Sequence, residues 1–201
     1  MRNKFFIFII VSVLVLLYTW RVCLVNANVY VPPIEWYSSN EDVLFTKDYD
    51  GQNEDPRDGY SVNVSASEIM SAERFRERFP QVGDEIISDQ VDDVLLVDLI
   101  LKNNNHSGDH HGVSVFNFSL IGTNYYAIPS PDLFMCLNPD MPDSSFALRP
   151  GTEMEITLLF EIVEAVQRTP EQMEKDMPRL QILAYPVKKQ VLLPYWNVQH
   201  H

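Results

Sequence analysis

Apolar and polar residues alternate along several segments of the chain, and this pattern dominates everything after the N-terminal region. Apolar side chains recur at every second position in residues 60–66, 94–102, 113–121 and 154–162. A period of two places successive side chains on opposite faces, so each segment is predicted to be a β-strand with one buried face. In the third segment Phe116, Phe118 and Leu120 are expected to form the apolar side. Shorter strands are predicted at residues 123–128, 180–185 and 187–193.

Turn and cap residues separate these strands. Arg149-Pro150-Gly151-Thr152 is typical of a type II turn, because proline fixes the second position and glycine tolerates the positive φ of the third. Ser71 is predicted to cap a short helix that reaches Phe79, and Thr169-Pro170 is predicted to open a second one, which ends near residue 176. The predicted strands do not alternate regularly with helices, as they would in parallel β-α-β units. They therefore predict a mainly β fold, an antiparallel β-sandwich with two short helices.

The N-terminal region has a different pattern, a nearly unbroken apolar run. Residues 5–20 follow the basic Arg2 and Lys4. This run rises only about 24 Å as a helix, short of a hydrocarbon core of about 30 Å. Continuing past Arg21 to Val25 gives a full span if Arg21 extends its side chain to the headgroups. We therefore predict one transmembrane helix, with its positive N-terminus in the cytoplasm and the domain that follows outside the cell.

A cleavable signal peptide is the alternative to a retained anchor. Ala27 is a small residue at a suitable distance after the apolar run, and cleavage after it would release the domain. The bulky Tyr18 and Trp20 fit a retained anchor better. Pro32-Pro33 excludes a helix and favours a stiff, extended connector. The predicted organisation is a cytoplasmic tip and anchor in residues 1–25, a stalk in residues 26–42 and a β-sandwich ectodomain in residues 43–201.

The exported part of the chain is strongly acidic. Three of the 15 basic residues precede residue 26 and no acidic residue does, so residues 26–201 carry 12 basic and 28 acidic side chains, a net formal charge of −16. Such a surface repels phosphate backbones, which argues against nucleic-acid binding. Cys23 falls in the apolar run and Cys136 in the domain, so no disulfide framework is predicted.

Several short motifs together resemble a known family. Asp58-Gly59-Tyr60-Ser61-Val62-Asn63-Val64 opens the domain, and Val94-Leu95-Leu96-Val97-Asp98-Leu99 leads into Lys102-Asn103-Asn104. Phe116-Asn117-Phe118 and Leu148-Arg149-Pro150-Gly151 follow. With the anchor and the proline-bearing stalk, this order resembles the telokin-like, immunoglobulin-fold extracellular domains of Gram-positive bacteria, most closely their membrane-anchored branch of uncharacterised proteins. The resemblance covers residues 1–193. It implies an immunoglobulin-like sandwich outside the cell and implies no catalytic residue.

Two polar loops are candidates for metal binding. His106, Asp109, His110 and His111 place imidazoles and a carboxylate within one short segment, which suits zinc or copper, although the spacing matches no defined zinc motif. A second loop offers oxygen ligands for calcium, but its sixth position is Asn53 and its twelfth is Gly59, so it fails the EF-hand pattern. In both cases a solvated connection is the favoured interpretation, and no metal site is predicted. The calcium candidates are Asp48, Asp50, Asn53, Glu54, Asp55 and Asp58.

No motif for catalysis or for a cofactor occurs, so a non-enzymatic function is predicted. A nucleophile elbow, a His-Glu-x-x-His helix and a phosphate loop are all absent from the sequence. The aromatic pairs Trp36-Tyr37, Tyr125-Tyr126 and Tyr195-Trp196 suit stacking on sugars or anchoring of a protein partner. The first and last pairs flank the domain and are expected to pack the stalk and tail against its base.

The leading functional hypothesis is a membrane-tethered extracellular immunoglobulin-like module. Its partners would be the membrane, through the N-terminal helix, and a protein or cell-envelope ligand of unidentified nature. The alternative is an extracellular protein that binds or senses zinc, copper or calcium through the histidine loop or the acidic loop. The leading hypothesis follows from the predicted architecture rather than from a recognised site.

Overall fold

The computed structural model describes residues 2–45, 57–82, 87, 90–104, 112–123, 125–163 and 169–194. The chain divides into two compact units, residues 1–32 and 33–201. In the described residues, the first unit contains one apolar helix, and the second contains the strands and three short helices. The protein is therefore mainly β in its second unit, as the alternating pattern predicts.

The elements follow one another in an order that alternates strands with single short helices. The helices are α1 (Arg2–Ala27), α2 (Ala72–Arg78), α3 (Pro131–Leu137) and α4 (Pro170–Lys175). The strands are β1 (Ile34–Tyr37), β2 (Val43–Leu44), β3 (Tyr60–Ser71), β4 (Asp93–Asn103), β5 (Val113–Ser114), β6 (Ser119–Ile121), β7 (Tyr126–Ala127), β8 (Ser145–Phe146), β9 (Glu153–Ile162), β10 (Arg179–Leu183) and β11 (Lys188–Leu192).

Helix α1 is long and apolar enough to cross a membrane. Its 22 residues from Phe6 to Ala27 form the candidate span, and at 1.5 Å per residue they rise about 33 Å, which matches a hydrocarbon core of about 30 Å. The hydroxyl of Thr19 lies 3.0 Å from the carbonyl oxygen of Val15 and 2.9 Å from that of Leu16. The helix therefore satisfies this polar side chain internally, as an apolar surrounding requires.

A five-stranded sheet has the strand order β1-β11-β10-β6-β7. Strand β1 runs parallel to β11, whereas the other neighbours are antiparallel. Residues 34–37 lie inside the segment predicted as a stalk, and they form the edge strand β1 of this sheet. The strands predicted near the C-terminus are confirmed as β10 and β11, and the strand predicted at residues 123–128 corresponds to β7, which pairs with β6.

A four-stranded antiparallel sheet has the order β2-β3-β4-β9. Its long strands β3, β4 and β9 confirm three of the predicted strands, and β3 extends five residues beyond the predicted end at Ala66. The turn that leads into β9 has the predicted geometry: Gly151 has a φ of 73°, and the Thr152 N–H donates to the Arg149 carbonyl at 3.1 Å. Strands β5 and β8 form a separate two-stranded pair.

One hydrophobic cluster takes side chains from both large sheets. Strand β4 contributes every second residue, Leu95, Val97, Leu99 and Leu101, all fully buried as predicted. Strands β9, β10 and β11 contribute in the same alternating way. We call the face of each sheet that enters this cluster its inner face and the opposite face its outer face.

Helices α2 and α3 cover part of the outer face of the four-stranded sheet. Phe75 from α2 and Leu133 from α3 are fully buried, and they form a second cluster with Leu96 and Leu159. The cap predicted for α2 is confirmed, since the Ser71 hydroxyl accepts a hydrogen bond from the Arg74 N–H at 3.2 Å. Helix α3 is not predicted by the sequence analysis, although Pro131 in its first turn is a signal that favours a helix start.

Residues that flank α3 close the outer edge of β9, the last strand of the four-stranded sheet. The side-chain oxygen of Asn138 accepts a hydrogen bond from the Thr157 N–H at 2.8 Å, and its amide nitrogen donates to the Thr157 carbonyl at 2.9 Å. The Ser130 N–H donates to the Leu159 carbonyl at 3.0 Å. These bonds occupy the edge groups of β9 where another strand would otherwise pair.

The prediction of a single strand over residues 113–121 is wrong. The chain forms β5, a 3-10 turn at Val115–Asn117, and then β6. The cause is local, because the Asn117 side chain accepts a hydrogen bond from the Ser114 N–H at 2.8 Å and so competes with strand pairing. Phe118 and Leu120 are buried as expected, but the turn rotates Phe116 outwards, where it is 56% exposed.

Candidate functional site

The metal candidates of the sequence analysis lie almost entirely outside the described residues. This applies to His106, Asp109, His110 and His111, and to the acidic loop before Asp58. Within the described ranges, no group of three or more histidine, cysteine, aspartate or glutamate side chains is placed to hold a metal ion. Metal binding by either loop stays an untested alternative.

A cleft of about 620 Å³ lies where β4 ends beside the turn before β9. Its polar groups already hold this corner of the fold together. The Asn103 amide donates to the Leu148 carbonyl at 2.8 Å, and the Asn103 backbone bonds to Gly151 and Thr152. The Asn104 amide donates to the Ser61 hydroxyl at 2.9 Å. The cleft is therefore built from groups that fix the turn.

Tyr60 lies on the inner face beside this corner and is fully buried. Its phenolic oxygen accepts a hydrogen bond from the Leu148 N–H at 3.0 Å and lies 3.4 Å from the Leu148 carbonyl. Burial raises the pKa of Tyr60, and hydrogen bonds with Leu148 and Asn103 oppose that rise. The phenol stays protonated at neutral pH and anchors the Leu148 segment rather than acting as a base.

The outer face of the five-stranded sheet presents a different set of side chains. The strand register places Trp36 opposite Gln190, Gln190 opposite Gln181, and Gln181 opposite Ser119. A neighbouring row joins Leu192, Arg179, Ile121 and Tyr126. We call this surface the Trp36 face; it comprises Ile34, Trp36, Ser119, Ile121, Tyr126, Arg179, Gln181, Lys188, Gln190 and Leu192.

The centre of the Trp36 face is a row of polar side chains that bond to one another across three strands. The Gln190 amide donates to the side-chain oxygen of Gln181 at 3.2 Å, and the Gln181 amide donates to the Ser119 hydroxyl at 3.4 Å. Gln190 and Ser119 are buried, whereas Gln181 is half-buried. The row holds the amide of Gln181 in a fixed orientation, and that amide keeps a second N–H and a second lone pair for another partner.

Aromatic side chains lie at the two edges of the Trp36 face. Trp36 is 51% exposed, and the guanidinium carbon of Arg179 lies 5.0 Å from its ring centroid, a cation–π contact. Tyr126, on the opposite edge strand, is 63% exposed. Four strand spacings separate the edge strands β1 and β7, or about 19 Å. The face thus has a polar row across its central strands, with Leu192 and Ile121 in the neighbouring row and exposed rings at both edges.

The charged residues of the two outer faces differ in their pairing. Arg179 and Lys188 are the charged residues of the Trp36 face, both are basic, and neither enters a salt bridge with the described residues. On the four-stranded sheet, Lys102 pairs with Asp42 at 3.0 Å and Arg78 on α2 pairs with Glu68. The Trp36 face is therefore a basic patch without acidic partners on an acidic domain.

The structure separates the members of each aromatic pair that it describes. Tyr37 packs against the core as expected, whereas Trp36 lies exposed on the outer face. Tyr125 is buried in the core and Tyr126 is exposed. Successive residues of a strand point to opposite faces, which explains the separation. Tyr195-Trp196 lies outside the described residues.

No motif in the sequence marks Arg179, Gln181, Gln190 or Ser119 as a site residue. The one relevant signal in the sequence is that β10 and β11 have polar residues at every second position. That signal shows which side chains share a face of one strand, but it does not show which strands lie side by side.

A family model described as "Domain of unknown function (DUF5028)" matches residues 34–189, from β1 into β11. The chain belongs to this family. The resemblance to uncharacterised proteins is confirmed at this level, and the DUF5028 match includes the whole Trp36 face except Gln190 and Leu192. No match was found among curated proteins.

Solved structures of low sequence identity also match the chain. The yjhA protein from Bacillus subtilis is 12% identical, with a TM-score of 0.42 over 79% of this chain and 99% of that chain. A protein from Listeria monocytogenes EGD-e described as functionally unknown is 16% identical, with a TM-score of 0.39 over 71% of this chain and 72% of that one.

Proposed function

We propose that the chain is a membrane-tethered extracellular module with an immunoglobulin-like β-sandwich, which binds a protein or cell-envelope ligand through the Trp36 face and catalyses no reaction. The apolar α1 behind Arg2 and Lys4 supports the tether and the export of the domain. The hydrophobic cluster shared by the inner faces of both sheets supports the sandwich.

The observation that carries the binding role is the composition of the Trp36 face, on which the described residues leave both aromatic side chains exposed. Two large aromatic side chains lie exposed there, beside a guanidinium group and a fixed row of amides. Tryptophan, tyrosine and arginine are the residues that contribute most to binding energy at recognition surfaces.

The positions of the perturbed titratable groups support binding rather than catalysis. The Asn63 amide, followed by Lys102, lowers the pKa of Asp42, so this carboxylate stays ionised and neutralises the lysine. Burial raises the pKa of Glu161, at the far end of β9 from Lys102. Tyr60 points into the core. In the described residues these groups do not converge on one site, as a catalytic site would require.

Photo-crosslinking from the Trp36 face tests the binding role. A photo-reactive phenylalanine replaces Tyr126 in the full chain on intact cells, and the same residue at Phe116 provides the control, since that side chain is also exposed but lies off this face. We expect crosslinked products from position 126 that are missing from position 116. Identical products from both positions, or none from 126, would contradict the proposal.

Protease treatment of intact cells tests the tether and the topology. Proteolysis should release a fragment that begins near residue 26 while the N-terminus stays protected. A fully protected chain would place the domain inside the cell. A protein in the medium that begins at Asn28 would instead show cleavage after Ala27 and no anchor.

A further inference from the structure

The charge of the Trp36 face indicates the sign of the charge that its ligand carries. The exported part carries a net formal charge of −16, yet this face contains Arg179 and Lys188 and no acidic strand residue. The described residues leave both cations without a salt bridge. Salt screens charges beyond about 8 Å at physiological ionic strength, so the acidic residues on the other sheet act weakly at this surface. A ligand in contact with the face encounters positive charge.

The distribution of polar and apolar groups points to the kind of ligand. Interfaces between proteins have an apolar centre and a polar rim. The Trp36 face has the reverse arrangement, with the Gln190–Gln181–Ser119 row at the centre and Trp36 and Tyr126 at the edges. Indole and phenol rings stack on the C–H faces of sugar rings, and fixed amides bond to ring hydroxyls. The arrangement suits a carbohydrate better than a protein.

The extent of the face points to a polymer. The edge strands that carry Trp36 and Tyr126 lie about 19 Å apart, a distance that several linked sugar rings span and a monosaccharide does not. Arg179 lies between the two aromatic residues, on the central strand of the sheet. Its guanidinium group has the planar donor geometry that fits a phosphate or carboxylate.

We infer that the Trp36 face binds an anionic carbohydrate polymer, a chain of sugar rings that carries phosphate or carboxylate groups. Trp36 and Tyr126 stack on rings at the two ends, Gln181 bonds to hydroxyls between them, and Arg179 with Lys188 neutralises the anionic groups. This inference rests on the proposed binding role of the same face and adds the chemistry of the ligand.

Binding of defined polymers to the full chain in zwitterionic detergent micelles tests the inference. The probes are polygalacturonate, which carries carboxylates, dextran phosphate, and neutral dextran of matched length. We expect at least one anionic polymer to bind, neutral dextran not to bind, and added salt to weaken the binding. No binding of either anionic polymer, or equal binding of neutral dextran, would overturn the inference.

Substitutions on and off the face show where the polymer binds. Trp36→Ala and Arg179→Gln should each weaken binding by about tenfold or more, the equivalent of one lost favourable contact. Phe116→Ala and Arg149→Gln remove an exposed ring and an exposed cation elsewhere and should leave binding unchanged. Trp36→Phe keeps a ring and should retain part of the affinity, which separates stacking from damage to β1. Unchanged binding by Trp36→Ala, with a normal melting curve, would overturn the inference.

Together with the polymer-binding measurements, the crosslinking experiment separates a wrong ligand class from a wrong binding role. If position 126 captures a protein specifically and no anionic polymer binds, the ligand class is wrong and the binding role stands. If position 126 captures nothing and no polymer binds, both proposals are wrong. Capture of glycan from position 126 supports both.

Discussion

The outer faces of the two large sheets are built from different residues, and the described helices α2 and α3 pack on one of them. On the four-stranded sheet, α2 and α3 bury Leu96 and Leu159, and ion pairs neutralise Lys102 and Arg78. On the five-stranded sheet, the described residues leave Trp36 and Tyr126 exposed and Arg179 without a carboxylate partner. The first face forms a buried layer that contributes to stability, whereas the second keeps its aromatic side chains exposed.

The role of a large side chain on an outer face depends on whether a second layer of structure covers it. Phe75 and Trp36 both lie on an outer face, but only Phe75 is removed from water by a second layer. Substitution of Phe75 should therefore affect the free energy of unfolding, and substitution of Trp36 should affect binding. The four predictions that follow test this difference, beginning with the largest expected effect.

Phe75→Ala should destabilise the domain by about 3–5 kcal/mol, because it removes a fully buried ring and leaves a cavity between α2 and the sheet. Phe116→Ala removes the same atoms from an exposed position and should change the free energy of unfolding by less than about 0.5 kcal/mol. Denaturant unfolding of both variants by circular dichroism measures the difference. Equal losses would mean that α2 does not seal the outer face as described.

Asn138→Ala should destabilise the domain by about 2–3 kcal/mol, because it leaves the Thr157 N–H and carbonyl without their partners at the edge of β9. The opened edge should also promote self-association, which light scattering detects. Asn104→Ala loses one part-buried side-chain bond, to Ser61, and should cost about 1 kcal/mol. A loss for Asn138→Ala no greater than that of Asn104→Ala would contradict the edge-closing role.

Trp36→Ala should cost about 1 kcal/mol of stability or less, since the side chain is half exposed and its main contact is the guanidinium of Arg179. The same thermal unfolding measurement on Arg179→Gln should give a similar small loss, because either change removes the cation–π contact. A loss as large as that of Phe75→Ala would show that the Trp36 face is structural, and the contrast between the two outer faces would fail.

Glu161→Gln should stabilise the domain slightly at neutral pH. Burial raises the pKa of this half-buried glutamate, so the folded state binds its proton more readily than the unfolded state, and the ionised carboxylate destabilises the fold above that raised pKa. The gain should stay below about 1 kcal/mol, or up to about 2–4 °C in melting temperature.

The gain from Glu161→Gln should disappear as the pH falls below the ordinary glutamate value of 4.5, where the carboxyl is protonated in both states. Melting curves at pH 7 and pH 4 measure this dependence. Glu155→Gln, an exposed neighbour on the same strand, serves as the control and should leave both curves unchanged. A gain of equal size at both pH values would exclude desolvation as the cause.

Much of the fold was predictable because strand and turn signals are local. The alternation in β4 and β9 identified their buried residues, and Pro150-Gly151 identified the turn between Arg149 and Thr152. Ser71 identified the start of α2. The mispredicted segments depend on bonds that the period of two does not encode. The Asn117 bond breaks the strand at 115–117, and Asn138 ends α3 by bonding back to the Phe134 carbonyl. Strand β1, inside the predicted stalk, forms through its pairing with the distant β11.

The candidate site was predictable only in part. Trp36 and Tyr126 stood out as members of aromatic pairs, but the sequence did not show that they share a face. Nothing in the sequence distinguishes Arg179 and Gln181, because a polar residue in a strand most often faces water and has no further role. The row from Trp36 through Gln190 and Gln181 to Ser119 exists only once β1, β11, β10 and β6 lie side by side.

The sequence by itself determined an apolar N-terminal helix, a mainly β domain, an acidic surface and the buried face of each long strand. These follow from hydropathy, charge and period, which are properties of neighbouring residues. The tertiary structure alone decided that β1 pairs in parallel with β11, that α2 and α3 cover one outer face while the described residues leave Trp36 and Tyr126 exposed on the other, and that Arg179 lies over Trp36. Those features depend on contacts between segments far apart in the chain, and local patterns carry no information about them.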